Sequence, residues 1–212
     1  KTVKGPLKVD CIYRRLDDSF LDPKVFNKES LIGVPGLFKC WLKKNVGILN
    51  AIGTGVADDK VVYSYVNKMI TYYLGEQPIL NQVETYLCHE EQQKKYVLEN
   101  LSKLVVKPAN ASGGYGLMIG PKAPKKEIEE VKQKILKNPR EFIAQPLEVL
   151  STGPTITDNN IDPRHVDLRP FVLTGKSNYV TSGGLTRVAL RKGSTIVNSS
   201  QGGGSKDTLI VG

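Results

Sequence analysis

Hydrophobic residues recur with a helical period in the first half of the chain, most clearly between an aspartate pair and a glycine. Asp58 or Asp59 can cap the start of a helix and Gly75 can end it, because aspartate accepts free backbone N–H groups and glycine readily adopts the left-handed conformation. Between them, apolar side chains return every three or four residues, at Val62, Tyr65, Val66, Met69, Ile70 and Tyr73. This pattern predicts an amphipathic helix whose apolar stripe packs in a core.

Other runs predict short elements before residue 103 and mostly strands after it. In the earlier part we expect strands at 7–13 and 46–49, a short helix after Gly36 and a weaker helix at 90–102. In the later part we expect strands at 104–108, 116–119, 141–149, 166–173, 179–190 and 195–197, a helix within 122–140, and turns at 158–160 and 198–208. Strands joined by short turns form antiparallel sheets, so the predicted fold class is α+β with flanking helices.

The change of period near residue 103 suggests a division of the chain into three parts. We expect an N-terminal α/β segment at residues 1–102, a small subdomain with a glycine-rich hairpin at 103–150, and an antiparallel sheet segment at 151–212.

Composition and charge narrow the class of protein. The 212 residues are 40% hydrophobic and 24% charged, which excludes wholesale disorder and collagen-like repeats. No apolar run approaches the roughly 18 residues of a membrane helix, and no secretory signal is visible. Three widely spaced cysteines fit reduced, mostly buried thiols in a cytoplasmic protein better than a disulfide framework.

The formal net charge of +9 either reflects an anionic partner or needs no partner at all. The partner could be nucleic acid, an anionic membrane surface or a phosphate-rich small molecule. Seven basic and three acidic residues lie between Lys122 and Arg140, on a helix whose charged face is predicted to be solvated. Few aromatic residues accompany them, so this segment argues against nucleic acid.

A glycine-rich hairpin is predicted beside a strand lysine. Gly113, Gly114 and Gly116 allow positive φ angles that bring several backbone N–H groups close to one anion, and Lys107 lies on the preceding strand. Strands flank this loop on both sides and the P-loop pattern is absent, as is a dinucleotide-binding fingerprint. A phosphate-binding flap and a plain turn both remain open at this point.

Two arginines are predicted on neighbouring strands of the last sheet. Arg169 follows Asp167 by two residues, so both point to one face, and Arg187 lies on a later strand. Arginines that face one groove suit a phosphoryl group whose charge grows in a transition state. Surface Arg–Asp ion pairs are the alternative.

Eight segments follow one another as VDCIYRRLDDSFLDP, GVPGL, GTGVADDK, LVVKPANASGGYG, FIAQP, HVDLRPFVL, GGLTRVAL and NSSQGGGSKDT. In this order they closely resemble the circularly permuted ATP-grasp proteins, bacterial relatives of glutathionylspermidine synthase, over essentially the whole chain. The resemblance implies an ATP-grasp-like α+β fold in which residues 103–150 form the lid. It also implies an enzyme, an ATP- and Mg²⁺-dependent carboxylate–amine ligase that forms an acylphosphate.

The resemblance also implies roles for individual residues. The nucleotide lysines are Lys60 and Lys107, and the loop over the phosphates comprises Ser112, Gly113, Gly114, Tyr115 and Gly116. The hinge strand that reads adenine through its backbone includes Ala144, Gln145 and Leu147, with Glu148 for the ribose. Arg169, Arg187 and Asn198 are the expected catalytic residues around the transferred phosphoryl. Arg14, Arg15, Asp17 and Asp18 are expected on the substrate side, with ordinary ion pairing as the alternative.

The metal site departs from the family pattern. ATP-grasp enzymes hold magnesium with acidic residues and a Glu-x-Asn arrangement, which this chain lacks. Asp158, Asn159 and Asn160 have a similar spacing but are predicted to form a turn. In permuted members the metal strand precedes these segments, so we expect the ligands upstream of Lys1 and assign no metal ligand within the chain.

The sequence leaves three alternative functions for the chain. The first is the ATP-binding portion of a ligase, here a fragment that would be inactive without its metal strand. The second is a non-catalytic ATP-binding module, and the third a basic nucleic-acid-binding domain, which steep salt dependence would support. The carboxylate and amine substrates and the oligomeric state do not follow from the sequence.

Overall fold

The computed structural model describes residues 3–111, 116–157, 160–197 and 202–209. The chain forms two units, Lys1–Leu80 and Asn81–Gly212. The boundary predicted before residue 103 falls inside the second unit, and the division into 1–102, 103–150 and 151–212 stays a prediction.

The first unit contains a two-stranded sheet and three helices. Its strands are β1 (Cys11–Tyr13) and β2 (Gly47–Leu49), which pair in parallel, and its helices are α1 (Asp18–Leu21), α2 (Leu37–Leu42) and α3 (Lys60–Leu74). Leu21, Leu37 and Ile48 form a small core, against which Trp41 packs. The predicted strands are thus present but shorter than expected.

Helix α3 has the predicted ends. The side chain of Asp59 accepts a hydrogen bond from the backbone N–H of Val61, and Gly75 ends the helix with a left-handed φ of 67°. The prediction that the stripe from Val62 to Tyr73 forms a core is wrong for several of its members. Val61 is the buried residue of this helix, while Tyr73 is 75% exposed.

The second unit begins with a four-stranded antiparallel sheet and two helices. Its elements in chain order are β3 (Tyr86–Leu87), α4 (Glu91–Asn100), β4 (Leu104–Pro108), β5 (Met118–Ile119), α5 (Lys125–Lys137) and β6 (Phe142–Pro146). The strands lie in the order β3-β6-β4-β5. The glycine hairpin is therefore flanked by strands β4 and β5, as predicted.

The two faces of this sheet differ because side chains alternate along a strand. One face packs against α4 and α5 in a core that contains Cys88, Val97, Leu101, Leu104, Val106, Met118, Val131, Ile135 and Ala144. The other face carries Val105 and Lys107 of β4 and, opposite Val105, Gln145 of β6. Helix α5 buries Val131 and Ile135 and exposes most of its lysines, which confirms the predicted amphipathic helix.

The rest of the second unit is a sheet of longer strands. These are β7 (Thr152–Thr157), β8 (Asn160–Thr174), β9 (Asn178–Val188) and β10 (Gly204–Leu209), antiparallel in the order β10-β9-β8-β7. With this sheet the predicted α+β class, with mostly antiparallel sheets, is confirmed.

Three local predictions in this region need correction. Strand β7 was not expected; it exists because residues 152–157 pair with the first part of β8. Residues 195–197 are not a strand, and residues 204–208, expected as turn, pair with β9 as β10. Asp158 and Asn159 lie outside the described residues, while Asn160 begins β8.

The burial of the cysteines differs from the prediction. All three cysteines are free, but only Cys88 is buried, so the expectation of mostly buried thiols is wrong. Burial raises the pKa of the Cys88 thiol to about 12. None of the helices in the described ranges is both long enough and apolar enough to cross a membrane.

Candidate functional site

A cavity of about 280 Å³ lies on the sheet face of the second unit that the helices leave uncovered. Aliphatic side chains form most of its lining: Val83, Val105, Leu117, Ile119, Leu147, Leu150 and Ile196. Polar side chains join them at Lys107, Gln145, Glu148 and Thr195. An apolar slot with a few polar groups is typical of a small-molecule site.

Lys107 and Gln145 are joined directly within this cavity. The Nζ of Lys107 donates to Oε1 of Gln145 at 2.6 Å, and Nε2 of Gln145 donates to Oγ1 of Thr85 at 2.8 Å. Lys107 is half-buried, whereas Gln145 is only 7% exposed. The ammonium group of Lys107 is thus held at the cavity wall, with Gln145 as one of its partners.

The segment after β9 supplies one wall of the cavity. The backbone N–H of Ile196 donates to the hydroxyl of Ser194 at 3.1 Å, which closes a local turn, and the next residue, Val197, is buried. This turn presents Thr195 and Ile196 to the cavity. Sequence reasoning missed both residues because it assigned 195–197 to a strand.

The start of the second unit supplies a further part of the site. Val83 lines the cavity and Thr85 lies just before β3, where continuing the register of Tyr86 with Ala144 places Thr85 opposite Gln145. Sequence reasoning also missed these residues. The alternation of Val83, Thr85 and Leu87 with polar or aromatic neighbours was the available signal for a strand.

The glycine hairpin begins beside Lys107 at the end of β4. Gly116 has a φ of 70°, and a Cβ atom there would lie only 2.9 Å from Cγ of Pro108. Glycine is required at this position for both reasons. Ser112, Gly113, Gly114 and Tyr115, expected to cover the phosphates, lie outside the described residues.

The hinge residues divide between the cavity and the core. Strand β6 ends at Pro146, and Leu147 and Glu148 continue beyond it along the cavity. Ala144 instead pairs with Val106 and Tyr86 in the centre of the sheet, and its side chain belongs to the helix-covered core. The structure therefore brings Gln145, Leu147 and Glu148 to the cavity with Lys107, and does not bring the side chain of Ala144 there.

Arg169 and Arg187 lie on one face of the last sheet. Asp167 pairs with Arg187 across β8 and β9, and Arg169 follows two residues later on the same side of β8. Nη2 of Arg169 donates to Oδ2 of Asp167 at 3.0 Å, so the expected Arg–Asp ion pair is present. Asn198 lies outside the described residues. The catalytic roles of these residues stay predictions.

The expected substrate-side cluster lies in the first unit, where Arg14 is 7% exposed. Its guanidinium donates to the carbonyl oxygens of Asn50, Leu16 and Ala51 at 2.7 to 2.8 Å and pairs with Asp18 at 2.5 Å. Most of its donors are therefore engaged in joining the ends of β1 and β2.

The neighbours of Arg14 differ in their surroundings. Asp17 caps α1, and hydrogen bonds from the hydroxyl and backbone N–H of Ser19 hold the pKa of its carboxyl below the usual value. Oδ2 of Asp18 accepts the N–H of Gly53 at 2.8 Å, whereas Arg15 is exposed. Of this cluster, Arg15 and Asp17 are exposed to solvent.

Lys60 is the first residue of α3 in the first unit, next to the cap Asp59. Across the residues that the structure describes, no group of three or more His, Cys, Asp or Glu side chains is arranged to hold a metal ion. The expectation of magnesium ligands upstream of Lys1 stays a prediction.

Comparison with known proteins gives one family and a set of relatives. Residues 1–189 match the family model described as circularly permuted ATP-grasp type 2. An uncharacterized protein of Synechocystis sp. is 55% identical over all 212 residues, which make up 44% of that protein. An uncharacterized protein of Mycobacterium tuberculosis is 51% identical over the whole chain and 38% of its own length.

A third relative carries a functional name. The "Putative glutamate--cysteine ligase 2-2" of Frankia casuarinae is 50% identical over 203 residues, which are 96% of this chain and 23% of the Frankia protein. The chain thus spans less than half the length of the curated relatives that it matches. Because the family model covers most of the chain, the protein belongs to the circularly permuted ATP-grasp type 2 family.

Proposed function

We propose that the cavity of the second unit binds ATP, and that the chain is the nucleotide-binding portion of an ATP-dependent carboxylate–amine ligase acting through an acylphosphate. The observation that carries this proposal is the ammonium group of Lys107 at the wall of an apolar cavity, where the glycine hairpin begins. A purine with a charged phosphate tail needs both of these environments.

The aliphatic walls suit the purine. Val83, Val105 and Ile196 offer flat apolar surface, and burial of a heteroaromatic ring between such side chains removes apolar area from water. Leu147 and Glu148 lie beyond the last ladder pair of β6, where backbone groups are available for the edge of a base. The carboxylate of Glu148 is proposed to accept hydrogen bonds from ribose hydroxyls.

The phosphates are assigned to the hairpin end of the cavity. Lys107 supplies a positive charge there, and the loop from Ser112 to Gly116 is proposed to cover the phosphates. Arg169 and Arg187 on one sheet face, with Asn198, are proposed to stabilise the transferred phosphoryl group, since phosphoryl transfer is catalysed mainly by positioning and charge compensation. Lys60 is proposed as the first nucleotide lysine and Lys107 as the second.

The comparisons support a ligase reaction but leave its substrates and metal site open. The family itself implies ATP and Mg²⁺ use, and the Frankia relative carries the name of a ligase for glutamate and cysteine. The matched part is 23% of that protein, so its substrates are not transferred to this chain. The described residues provide no magnesium cluster, and the proposal routes no step through the metal.

Thermal unfolding with ATP, with and without Mg²⁺, tests the proposal. ATP at 100 times its dissociation constant should stabilise the folded protein by about 2.7 kcal/mol. Lys107→Met should weaken ATP binding roughly tenfold while changing stability little, because a charge-assisted contact of this kind contributes about 1.5 kcal/mol. Lys126→Met, an exposed lysine of α5, is the matched control and should bind ATP like the wild type.

The results of these unfolding experiments distinguish three cases. A shift without Mg²⁺ that Lys107→Met reduces supports a nucleotide site built from this chain. Equal ATP affinity in Lys107→Met and Lys126→Met would remove Lys107 from the site. No shift under either condition would contradict ATP binding by this chain.

A further inference from the structure

Three hydrogen bonds connect the cavity lysine to the segment before β3. Lys107 Nζ donates to Gln145 Oε1 at 2.6 Å, Gln145 Nε2 donates to Thr85 Oγ1 at 2.8 Å, and the Thr85 hydroxyl donates to the carbonyl oxygen of Val83 at 3.0 Å. A lysine ammonium has donors only, so the atom of Gln145 that faces it must be the oxygen. The NH₂ group of Gln145 then faces the Thr85 hydroxyl, which donates its own proton to the carbonyl oxygen of Val83.

Thr85 supplies the partner of the other end of this amide. Gln145 is 7% exposed, so its amide N–H needs a partner within the protein, and the hydroxyl of Thr85 provides it. Without that acceptor, a buried N–H of Gln145 is left unsatisfied, which favours another position of the side chain. A displaced amide no longer holds its oxygen against the Lys107 ammonium.

We infer that Thr85 is a positioning residue for nucleotide binding: through the Gln145 side chain it fixes the Lys107 ammonium where the phosphates of ATP are bound. This inference rests on the proposed function. It assigns a role to a residue outside the hinge strand and the glycine hairpin, and it gives the Gln145 side chain a role distinct from that of its backbone.

The alternative is a purely structural role, in which Thr85 only holds residues 83–85 against β6. The two roles differ in what they change. A structural defect would deform the whole cavity and weaken every ligand that enters it. A displaced ammonium would weaken ligands that carry phosphates and leave adenosine unaffected.

Thr85→Val and Thr85→Ser in the 212-residue chain test the inference by calorimetric titration with ATP and with adenosine. Valine keeps the shape of threonine without the hydroxyl, and we expect roughly fivefold weaker ATP binding, the factor that one ordinary hydrogen bond represents. Adenosine affinity should not change. Serine restores the hydroxyl and should restore ATP affinity to within about twofold of the wild type.

The double variant with Lys107→Met completes the test. If Thr85 acts through Lys107, Thr85→Val should add nothing to the loss that Lys107→Met already causes, since coupled residues are non-additive. Additive losses, equal losses for ATP and adenosine, or unchanged ATP affinity in Thr85→Val would each overturn the inference. If Thr85→Val does not fold, Gln145→Leu breaks the same connection and should show the same ATP-selective loss.

The proposed function fails in a different way. Absence of ATP binding by the wild type would overturn the nucleotide site and this inference with it. Wild-type binding that Lys107→Met weakens and Thr85→Val does not would overturn the role of Thr85 alone.

Discussion

Two buried charged groups of the first unit and the cavity lysine of the second unit are held in different ways. In the first unit, Arg14 donates to three backbone carbonyls, and the fully buried carboxylate of Asp22 accepts backbone N–H groups from Lys24, Gly36 and Phe38. In the second unit, Lys107 is half-buried, lines a cavity and donates to the neutral side chain of Gln145. Backbone partners make the first set part of the framework, whereas Lys107 places an ammonium group at the wall of a cavity.

This difference matters because residue type and spacing do not reveal it. Arg14 and Lys107 are both basic residues beside short strands, and both were expected to contact ligands or nucleotide. The structure assigns most donors of Arg14 to loop carbonyls, so we expect Arg14 to contribute to the stability of the first unit, while its substrate role stays a prediction. The predictions below test this contrast in both units.

The largest expected effect is that of removing the Asp22 carboxylate. Asp22→Ala leaves three backbone N–H groups without their acceptor, which should lower the stability of the first unit by about 3 kcal/mol or more. Trp41, the only tryptophan of the chain, packs against the first unit's core, so its fluorescence during urea unfolding reports on this unit. Asp10→Ala, at a highly exposed position, should leave the urea midpoint unchanged. Equal midpoints for both variants would contradict the framework role.

The next effect separates two adjacent arginines. Arg14→Lys should destabilise the first unit by about 2 kcal/mol, because lysine cannot reproduce the planar fork that reaches three carbonyls at once. Arg15→Lys at the exposed neighbour should stay within about 0.5 kcal/mol of the wild type. The same Trp41 signal measures both. Similar losses in the two variants would show that burial does not distinguish them.

Some of the fold was predictable from local chemistry. Helix α3 lies between the predicted caps Asp59 and Gly75 because capping depends on neighbouring backbone groups alone. The hairpin around Gly116 was predictable from its glycines, and the amphipathic helix α5 from the spacing of its apolar residues. In each case the decisive interactions connect residues that are close in sequence.

The predictions that were wrong concern residues whose structure depends on partners distant in sequence. Strand β10 at Gly204–Leu209 was expected to be a turn because its glycine and polar residues have low strand propensity, and it is a strand because it pairs with β9. The apolar stripe of α3 looked like a core, yet Tyr73 is exposed in the structure. For the candidate site, Lys107 was found from its place beside the glycine hairpin and Leu147 from the resemblance. Thr85 and Ile196 were missed because they join the cavity only through tertiary contacts.

A smaller effect tests the cavity wall of the second unit. Ile196→Ala should weaken ATP binding roughly fivefold, since it removes apolar surface worth about 1 kcal/mol from the proposed purine slot. Calorimetric titration with ATP measures it, and adenosine should show the same loss because the wall contacts the base. Ile156→Ala, at an exposed position of β7, is the control with no expected change. An unchanged affinity in Ile196→Ala would place the purine elsewhere.

The smallest effect is the pH dependence that Asp22 gives the first unit. Burial acts to raise the pKa of its carboxyl, but backbone N–H groups of Gly36, Lys24 and Phe38 outweigh it and hold this pKa below the ordinary value. As pH falls, the unfolded chain therefore takes up the proton first, so the contribution of Asp22 is complete above about pH 5 and is lost from about pH 4 downward.

Urea midpoints followed by Trp41 fluorescence at several pH values measure this loss. Asp22→Asn cannot titrate at this position, so its midpoint should fall less than that of the wild type between about pH 5 and pH 3. Asp10→Asn, which removes an exposed carboxyl, should follow the wild type. Parallel curves for the wild type and Asp22→Asn would mean that the Asp22 carboxyl has the same pKa folded and unfolded. The backbone N–H groups around Asp22 would then favour its charged form no more than water does in the unfolded chain.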